Sequence, residues 1–154
     1  MTSSTVHTRR ISAPAAAARP KMAPKPTPET AHFWACATEE RLVVQRCSKC
    51  HTTYFYPRDL CPSCSSERVE WIDCSGRATL HTYVIEHRPG PGFENDGPYV
   101  VAVVELEEGP RMMTNIVGVD PDPGLLPLDL PLVVQFEDRG DVKVPVFRPE
   151  GSNA

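Results

Sequence analysis

The stretch Cys47-Ser48-Lys49-Cys50-His51-Thr52-Thr53-Tyr54-Phe55-Tyr56-Pro57-Arg58-Asp59-Leu60-Cys61-Pro62-Ser63-Cys64 decides the fold. It holds two Cys-x-x-Cys knuckles with ten residues between them. Each knuckle can present both thiolates to one tetrahedral centre at ~2.3 Å, and ten residues suit a short hairpin that returns the second knuckle to the first. No apolar segment of the secretory kind follows Arg9 and Arg10, so a reducing, cytoplasmic setting is the default expectation. There, such cysteines bind metal in preference to forming disulfides. The metal should be zinc. Four protein thiolates leave no open coordination position, so Cys47, Cys50, Cys61 and Cys64 are expected to form a structural centre and not a Lewis acid. A ribbon of this size buries too little surface to fold alone, and metal binding would supply the missing free energy.

Working outward from the knuckles, Thr52 to Tyr56 reads as a strand whose aromatic residues can cover the metal, and Pro57 and Pro62 stiffen the return. Leu42 to Arg46 reads as a strand leading into the first knuckle. Cys36 and Cys74 stand outside the pattern and read as small buried apolar residues, with a reactive thiol as the alternative. Before them, Thr27-Pro28-Glu29 is a helix start, with Thr to cap, Pro at the first position and Glu at the positive end of the dipole. The helix is expected over residues 28–38. Phe33 and Trp34 are adjacent on it, ~100° apart, so both are covered only if the helix is well enclosed; otherwise one faces a partner.

Residues 1–28 carry Arg9, Arg10, Arg19, Lys21 and Lys25 with no acid and no aromatic residue. Such a segment cannot bury enough to offset an ordering cost of roughly 1–2 kcal/mol per residue and is expected to be a disordered tail. The rest of the 154-residue chain then holds all 20 acids and 16 − 5 = 11 bases, a formal charge of −9. That charge repels nucleic-acid backbones, so no nucleic-acid partner is expected. The longest apolar run, Tyr99 to Val104, falls far short of the ~18 residues of a membrane helix, and no membrane association is expected. The 17 prolines leave few uninterrupted windows for long helices, so an all-helical bundle is not expected.

From Arg77 onward the pattern is β: Arg77 to His87, Tyr99 to Leu106, Arg111 to Val117, Leu132 to Glu137 and Val142 to Phe147, separated by Gly, Pro, Asp or Asn clusters. Five antiparallel strands in ~70 residues fit a small OB-type barrel, which closes its sheet edges. In the first of them, strict alternation puts His81, Tyr83, Ile85 and His87 on one face and Leu80, Thr82 and Val84 on the other. His81 and His87 are candidate acid/base groups, but no carboxylate or nucleophile is fixed beside them, and surface positions are the plainer reading. Residues 88–98 form a proline-stiffened loop that is long for a hairpin, with Phe93 as an apolar anchor, and are a candidate binding loop. Arg139-Gly140-Asp141 reads as a turn.

A helix with aromatics, a four-cysteine ribbon and a five-stranded barrel, in that order, resemble one family: the OB-fold, acyl-CoA-associated zinc-ribbon family long known as a domain of unknown function. The resemblance rests on His32-Phe33-Trp34, Arg41 to Cys47, Cys50, Tyr54 to Arg58, Cys61 to Cys64, Ser75-Gly76-Arg77, Pro98 to Val101, Leu106 to Arg111 and the final Pro145-Val146-Phe147-Arg148-Pro149. It covers residues 29–149. Two departures stand out: His51 and Ser65 occupy positions where the knuckles often have Gly, and Pro127 to Pro131 replaces a Gly-containing entry to the fourth strand.

The resemblance implies a mainly β chain with helix and lead-in strand 29–46, rubredoxin-like zinc ribbon 47–74 and OB-fold 75–149, flanked by the tail 1–28 expected from composition and a short tail 150–154. It also implies an accessory subunit without independent activity. Its partner would be a thiolase-like enzyme of the lipid-transfer-protein type, in a hetero-oligomer, expected as a heterotetramer, that cleaves the side chain of a steroid CoA thioester by a retro-aldol reaction. Zinc is the implied structural cofactor and acyl-CoA the ligand of the complex. Phe33 and Trp34 fall in the implied docking helix, and Phe93 is added from the loop reading. Arg58 and Arg77 hold matching positions that could meet CoA phosphates. Alternatives are a partner subunit of a hot-dog-type enoyl-CoA hydratase or of an acetyl-CoA thiolase, a nucleic-acid-binding ribbon/OB module, and an independent enzyme using His81 or His87.

Overall fold

The computed structural model describes residues 19–152. One short helix, α1 (Ala31–Thr38), precedes a three-stranded antiparallel ribbon sheet of β1 (Val43–Cys47), β2 (Thr53–Tyr54) and β3 (Val69–Asp73), in the order β2-β1-β3. A barrel follows, built from β4 (Arg77–Glu86), β5 (Tyr99–Leu106), β6 (Arg111–Ile116), β7 (Pro131–Arg139) and β8 (Val142–Pro149). A single turn of 3-10 helix, Pro123–Leu125, lies between β6 and β7. The chain is mainly β, with a four-cysteine ribbon ahead of a closed five-stranded barrel, as the sequence predicts.

The helix starts three residues later than expected. Thr30 N–H donates to the Thr27 carbonyl at 3.0 Å and closes a separate turn over Thr27-Pro28-Glu29, so Thr30, not Thr27, takes the cap position, and its side chain makes no cap hydrogen bond. At the other end Arg41 N–H donates to Cys36 O at 2.9 Å and Glu40 N–H to Ala37 O at 3.0 Å. This is a Schellman ending with Glu40, at φ +60°, in the left-handed position that glycine usually fills.

The barrel closes in the order β4-β5-β6-β8-β7. All neighbours are antiparallel except β6 and β8, which run parallel where Ile116 pairs with Phe147. The expectation of five antiparallel strands fails on parity: directions cannot alternate all the way round a closed ring with an odd number of strands. Strand β7 runs two residues further into the Gly140-Asp141 turn than the sequence indicates, so that Arg139 pairs with Val142 across that tight hairpin, and β8 runs two residues past Phe147 to Pro149.

Strict alternation also fails in β4. A β-bulge at His81 shifts the register between Leu80, paired with Val104, and Thr82, paired with Val103. Leu80 is therefore buried, whereas Thr82 and Val84, expected on the same face as Leu80, point outward. An extra residue in one strand reverses the inward set beyond it. The barrel interior is filled by Leu80, Val100, Val104, Met112, Leu132 and Phe147, and this core is continuous with Phe33, Trp34, Val43 and Val44. Helix α1 is thus the wedge between ribbon and barrel. A second, minor core of Cys47, Tyr54 and Cys61 lies at the knuckles.

Of the expected disordered tail, residues 1–18 lie outside the described residues. Residues 19–28 do not follow the expectation: they run along the barrel, held by Lys21, which bridges Asp96 at 2.8 Å and Glu137 at 3.2 Å. Two carboxylates from separate elements supply what the composition of the segment lacks.

Candidate metal centre and docking groove

The two knuckles are built alike. Cys47 N–H donates to Thr52 O and Cys61 N–H to Ser66 O, both at 3.0 Å, while His51 N–H and Ser65 N–H return to the Cys47 and Cys61 carbonyls. His51 and Ser65, at φ +60° and +54°, take the left-handed conformation despite not being glycine. Each turn aims its two sulfurs the same way, and all four Sγ atoms lie within 4.8 Å of one another. Cys47–Cys64 and Cys50–Cys61 are 3.7 and 3.6 Å apart. A tetrahedral zinc with Zn–S of ~2.3 Å requires sulfurs about 3.8 Å apart, so the donor set fits that ion.

Four thiolates in so small a volume cannot all stay ionised without a cation. The Thr52 hydroxyl, and then its amide, bring Cys50 down to about 6. The Ser66 amide pulls Cys64 down, but burial and then Cys50, Cys47 and Cys61 outweigh it and push it up to about 12. Tyr54 covers the centre, with its own hydroxyl pushed up by burial and by the Cys61 and Cys47 charges. Phe55 and Tyr56, expected to cover the metal too, turn instead to Phe33, 5.4 and 6.2 Å from its ring. Arg58 N–H donates to the buried Gln45 Oε1 at 2.7 Å and ties this segment to β1.

On the other side of α1 lies an apolar groove of about 490 Å³ between the helix, the Phe55-Tyr56 segment and strands β5 and β6. Trp34 lines it with its indole Nε1–H buried and without a hydrogen-bond partner among the described residues. Phe33 is only 1% exposed and serves as inner wall, so the more open aromatic surface is Tyr56. Phe93 forms the far wall, stacked on Tyr99 at 4.6 Å. Lys21 of the N-terminal strap and Arg139 at the end of β7 hold it there, with Nζ and the guanidinium 4.8 and 5.4 Å from the Phe93 ring. Burial pulls the Lys21 ammonium down, but its hydrogen bonds to Asp96 and Glu137 outweigh that and hold it above the ordinary lysine value. Gly92, at φ +87°, lets the loop approach the strap, because a Cβ there would stand 2.8 Å from Lys21 Cα.

The remaining sequence candidates are dispersed. Arg77 is ion-paired with Glu150 at 3.1 Å and borders a second groove with Glu105 and Glu107, an acidic setting. Arg58 is exposed, makes no ion pair among the described residues, and lines neither groove. His81 and His87 are exposed, and neither lines the apolar groove. Cys36 is buried and Cys74 half-buried. Burial pushes Cys36 up, and burial followed by Glu108 pushes Cys74 up to about 12. Sequence reasoning missed Tyr56, Tyr99, Met113 and Lys21. The signal for Tyr99, and for Met113 opposite Val103 on the neighbouring strand, was that Tyr99 to Val104 is apolar on both faces, which a strand with one solvated face does not need; Tyr56 and Lys21 carried no such signal.

Residues 34–70 match the ChsH2 rubredoxin-like zinc ribbon domain, and residues 71–137 match the ChsH2 C-terminal OB-fold domain. A DUF35 domain-containing scaffold protein of Methanothermobacter thermautotrophicus is 36% identical over 96 residues, covering 61% of this chain and 72% of that protein. The chain belongs to the DUF35 family. A probable enoyl-CoA hydratase alpha subunit of Thermomonospora curvata is 38% identical over 123 residues, 79% of this chain; the chain spans only 37% of that relative's length. A DUF35 scaffold protein of Methanocaldococcus jannaschii is spanned to 58% of its length. Among solved structures, an Ltp2-ChsH2(DUF35) aldolase chain superposes with a TM-score of 0.73 at 36% identity, covering 82% of this chain and 98% of that one. As a DUF35 chain with this ribbon, the protein has the four cysteines of a structural zinc centre.

Proposed function

We propose that this DUF35 chain is the accessory subunit of a thiolase-like enzyme of the lipid-transfer-protein type, acting on a CoA thioester such as a steroid side chain by retro-aldol cleavage. The observation that carries the reading is the likeness to the chain from the Ltp2-ChsH2(DUF35) aldolase, over 98% of that chain. In such a reaction a base on the partner takes the proton of the β-hydroxyl and the carbon–carbon bond between the α and β carbons breaks. The electron pair becomes a thioester enolate, which is then protonated to a shortened acyl-CoA, and the β carbon leaves as a ketone. The partner supplies these groups. This chain supplies shape and water exclusion, with Cys47, Cys50, Cys61 and Cys64 holding a structural zinc that fixes the ribbon and, through α1, the groove wall.

The division into helix and lead-in strand 29–46, ribbon 47–74 and OB-fold 75–149 is part of this proposal, as are a cytoplasmic location, a heterotetrameric assembly and docking through Trp34 and Phe93. Arg58 is the better placed of the two arginines for a CoA phosphate, since Arg77 is engaged by Glu150. A second reading is favoured by the relatives named as hydratase alpha subunits, from Thermomonospora curvata and Mycobacterium tuberculosis. This chain spans 37% and 40% of them, so hydratase function would need further protein.

Reconstitution tests the two. The chain and a thiolase-like protein of the same organism are purified separately and together, and a β-hydroxyacyl-CoA is followed for ketone and shortened acyl-CoA. Cleavage that requires both proteins is expected. Water addition to an enoyl-CoA, in the presence of a hot-dog partner only, would replace the first reading by the second.

A further inference from the structure

The bulge at His81 does more than reverse a register. It turns Thr82 and Val84 of β4 outward, beside Val101 and Val103 of β5 and Met113 of β6, pairing Val84 with Val101 and Val103 with Met113 across the sheet. Val84 is 61% exposed and Met113 74% exposed. Val101 and Met113 also line the groove beneath Trp34 and Phe93. The outer face of β4-β5-β6 and the aromatic groove are therefore one continuous apolar surface, of the kind that marks an interaction site.

We infer that this surface is where the partner enzyme subunit docks, inserting a convex apolar segment into the groove; the inference rests on the accessory-subunit reading above. Three observations select that occupant. Among the described residues the cations near the groove are already paired within the chain, Lys21 with Asp96 and Glu137, Arg139 with Glu137 and Arg111 with Glu105, so the phosphates of CoA find no free counter-charge there among those residues. A second copy related by a two-fold axis would set this concave face against itself, and a copy presenting its exposed Leu125 and Leu128 would form a non-closing contact. Like charge also opposes a second copy, because residues 19–152, the strap included, carry 14 − 20 = −6, whereas an enzyme with a Lys- and Arg-rich rim is complementary.

The test uses the full zinc-loaded chain and the thiolase-like protein of the same organism, with affinity measured by sedimentation and biolayer interferometry. Met113→Glu and Val84→Glu alter exposed side chains, and zinc content and far-ultraviolet circular dichroism verify that both variants fold. Each is expected to weaken the complex by about 30-fold or more, as for a residue at the centre of an interface. Leu60→Glu and Leu128→Glu, on other exposed surfaces, should bind like the wild type. Wild-type affinity in both Met113→Glu and Val84→Glu overturns the docking surface and leaves the accessory reading standing. Absence of binding by the wild-type chain overturns both. A wild-type dimer that Met113→Glu converts to monomer makes a second copy the occupant and overturns the inference.

Discussion

Cys36 and Cys74 show how position separates cysteines of the same sequence. Both are kept protonated by burial, Cys74 with Glu108 beside it, while the four knuckle cysteines hold sulfurs at metal-ligand spacing. Because the thiolate is the reactive form, a chromogenic disulfide reagent at pH 8 should react slowly with the zinc-loaded chain. After chelation four thiols should become fast, and peptide mapping should place them at Cys47, Cys50, Cys61 and Cys64; fast labelling of Cys74 in the loaded chain would contradict its burial. His51 and Ser65 bear a conformational cost instead of a chemical one. A non-glycine residue in the left-handed region costs ~1–2 kcal/mol, partly offset by the greater freedom glycine has when unfolded. His51→Gly and Ser65→Gly should therefore each stabilise the loaded chain by about 0.5–1 kcal/mol, read as a higher denaturation midpoint at unchanged slope.

Elements extend these local choices. The strap at residues 19–24 is held by one lysine at the junction of the 88–98 loop and β7, and it fixes Phe93 at the groove wall. Lys21→Met keeps the apolar stem and removes the charge. It is expected to cost about 0.5–2 kcal/mol, a range for a half-buried bridge with two acceptors, and to raise amide exchange in residues 90–97 first. The sign with pH follows from the raised lysine. A folded-state pKa above the unfolded value means that the contribution is fully present below about 10.5 and is lost as pH rises through the folded value. The difference in melting temperature between wild type and Lys21→Met should accordingly be constant from pH 7 to 9 and shrink above pH 10.5. A difference that grows at high pH would mean that Lys21 is not held by its carboxylates.

At the scale of the whole molecule, two cores of unequal size meet through α1. The knuckle core is three buried residues, whereas the main core runs through the barrel, the helix and β1. Structural zinc contributes ~10–16 kcal/mol to such ribbons, far more than that small core can. Stripping the metal, or replacing Cys61 by Ser, should thus abolish amide protection in β2 and β3 and leave β5 and β8 protected. Hydrogen exchange with zinc quantified by mass spectrometry reads both. Simultaneous loss of the barrel would show that ribbon and barrel are one cooperative unit. Among the described residues no helix is long and apolar enough to cross a membrane.

By itself the sequence determined the parts whose physics is local. The spacing of Cys47, Cys50, Cys61 and Cys64 specifies a four-thiolate turn pair whatever surrounds it, and the Gly- and Pro-bounded apolar runs specify five strands. The shift of the helix start from Pro28 to Ala31 was not legible, because Thr27 and Thr30 are both able to cap and a turn hydrogen bond between them decides which does. The remaining features arise on folding, since each joins residues far apart in the chain. A bulge at His81 is set by pairing with β5, and the parallel contact of β6 with β8 by closure of an odd ring. The fixing of a proline-rich, basic segment follows from acids at positions 96 and 137. The groove itself belongs to no single segment, because helix, ribbon, loop and barrel each supply one wall.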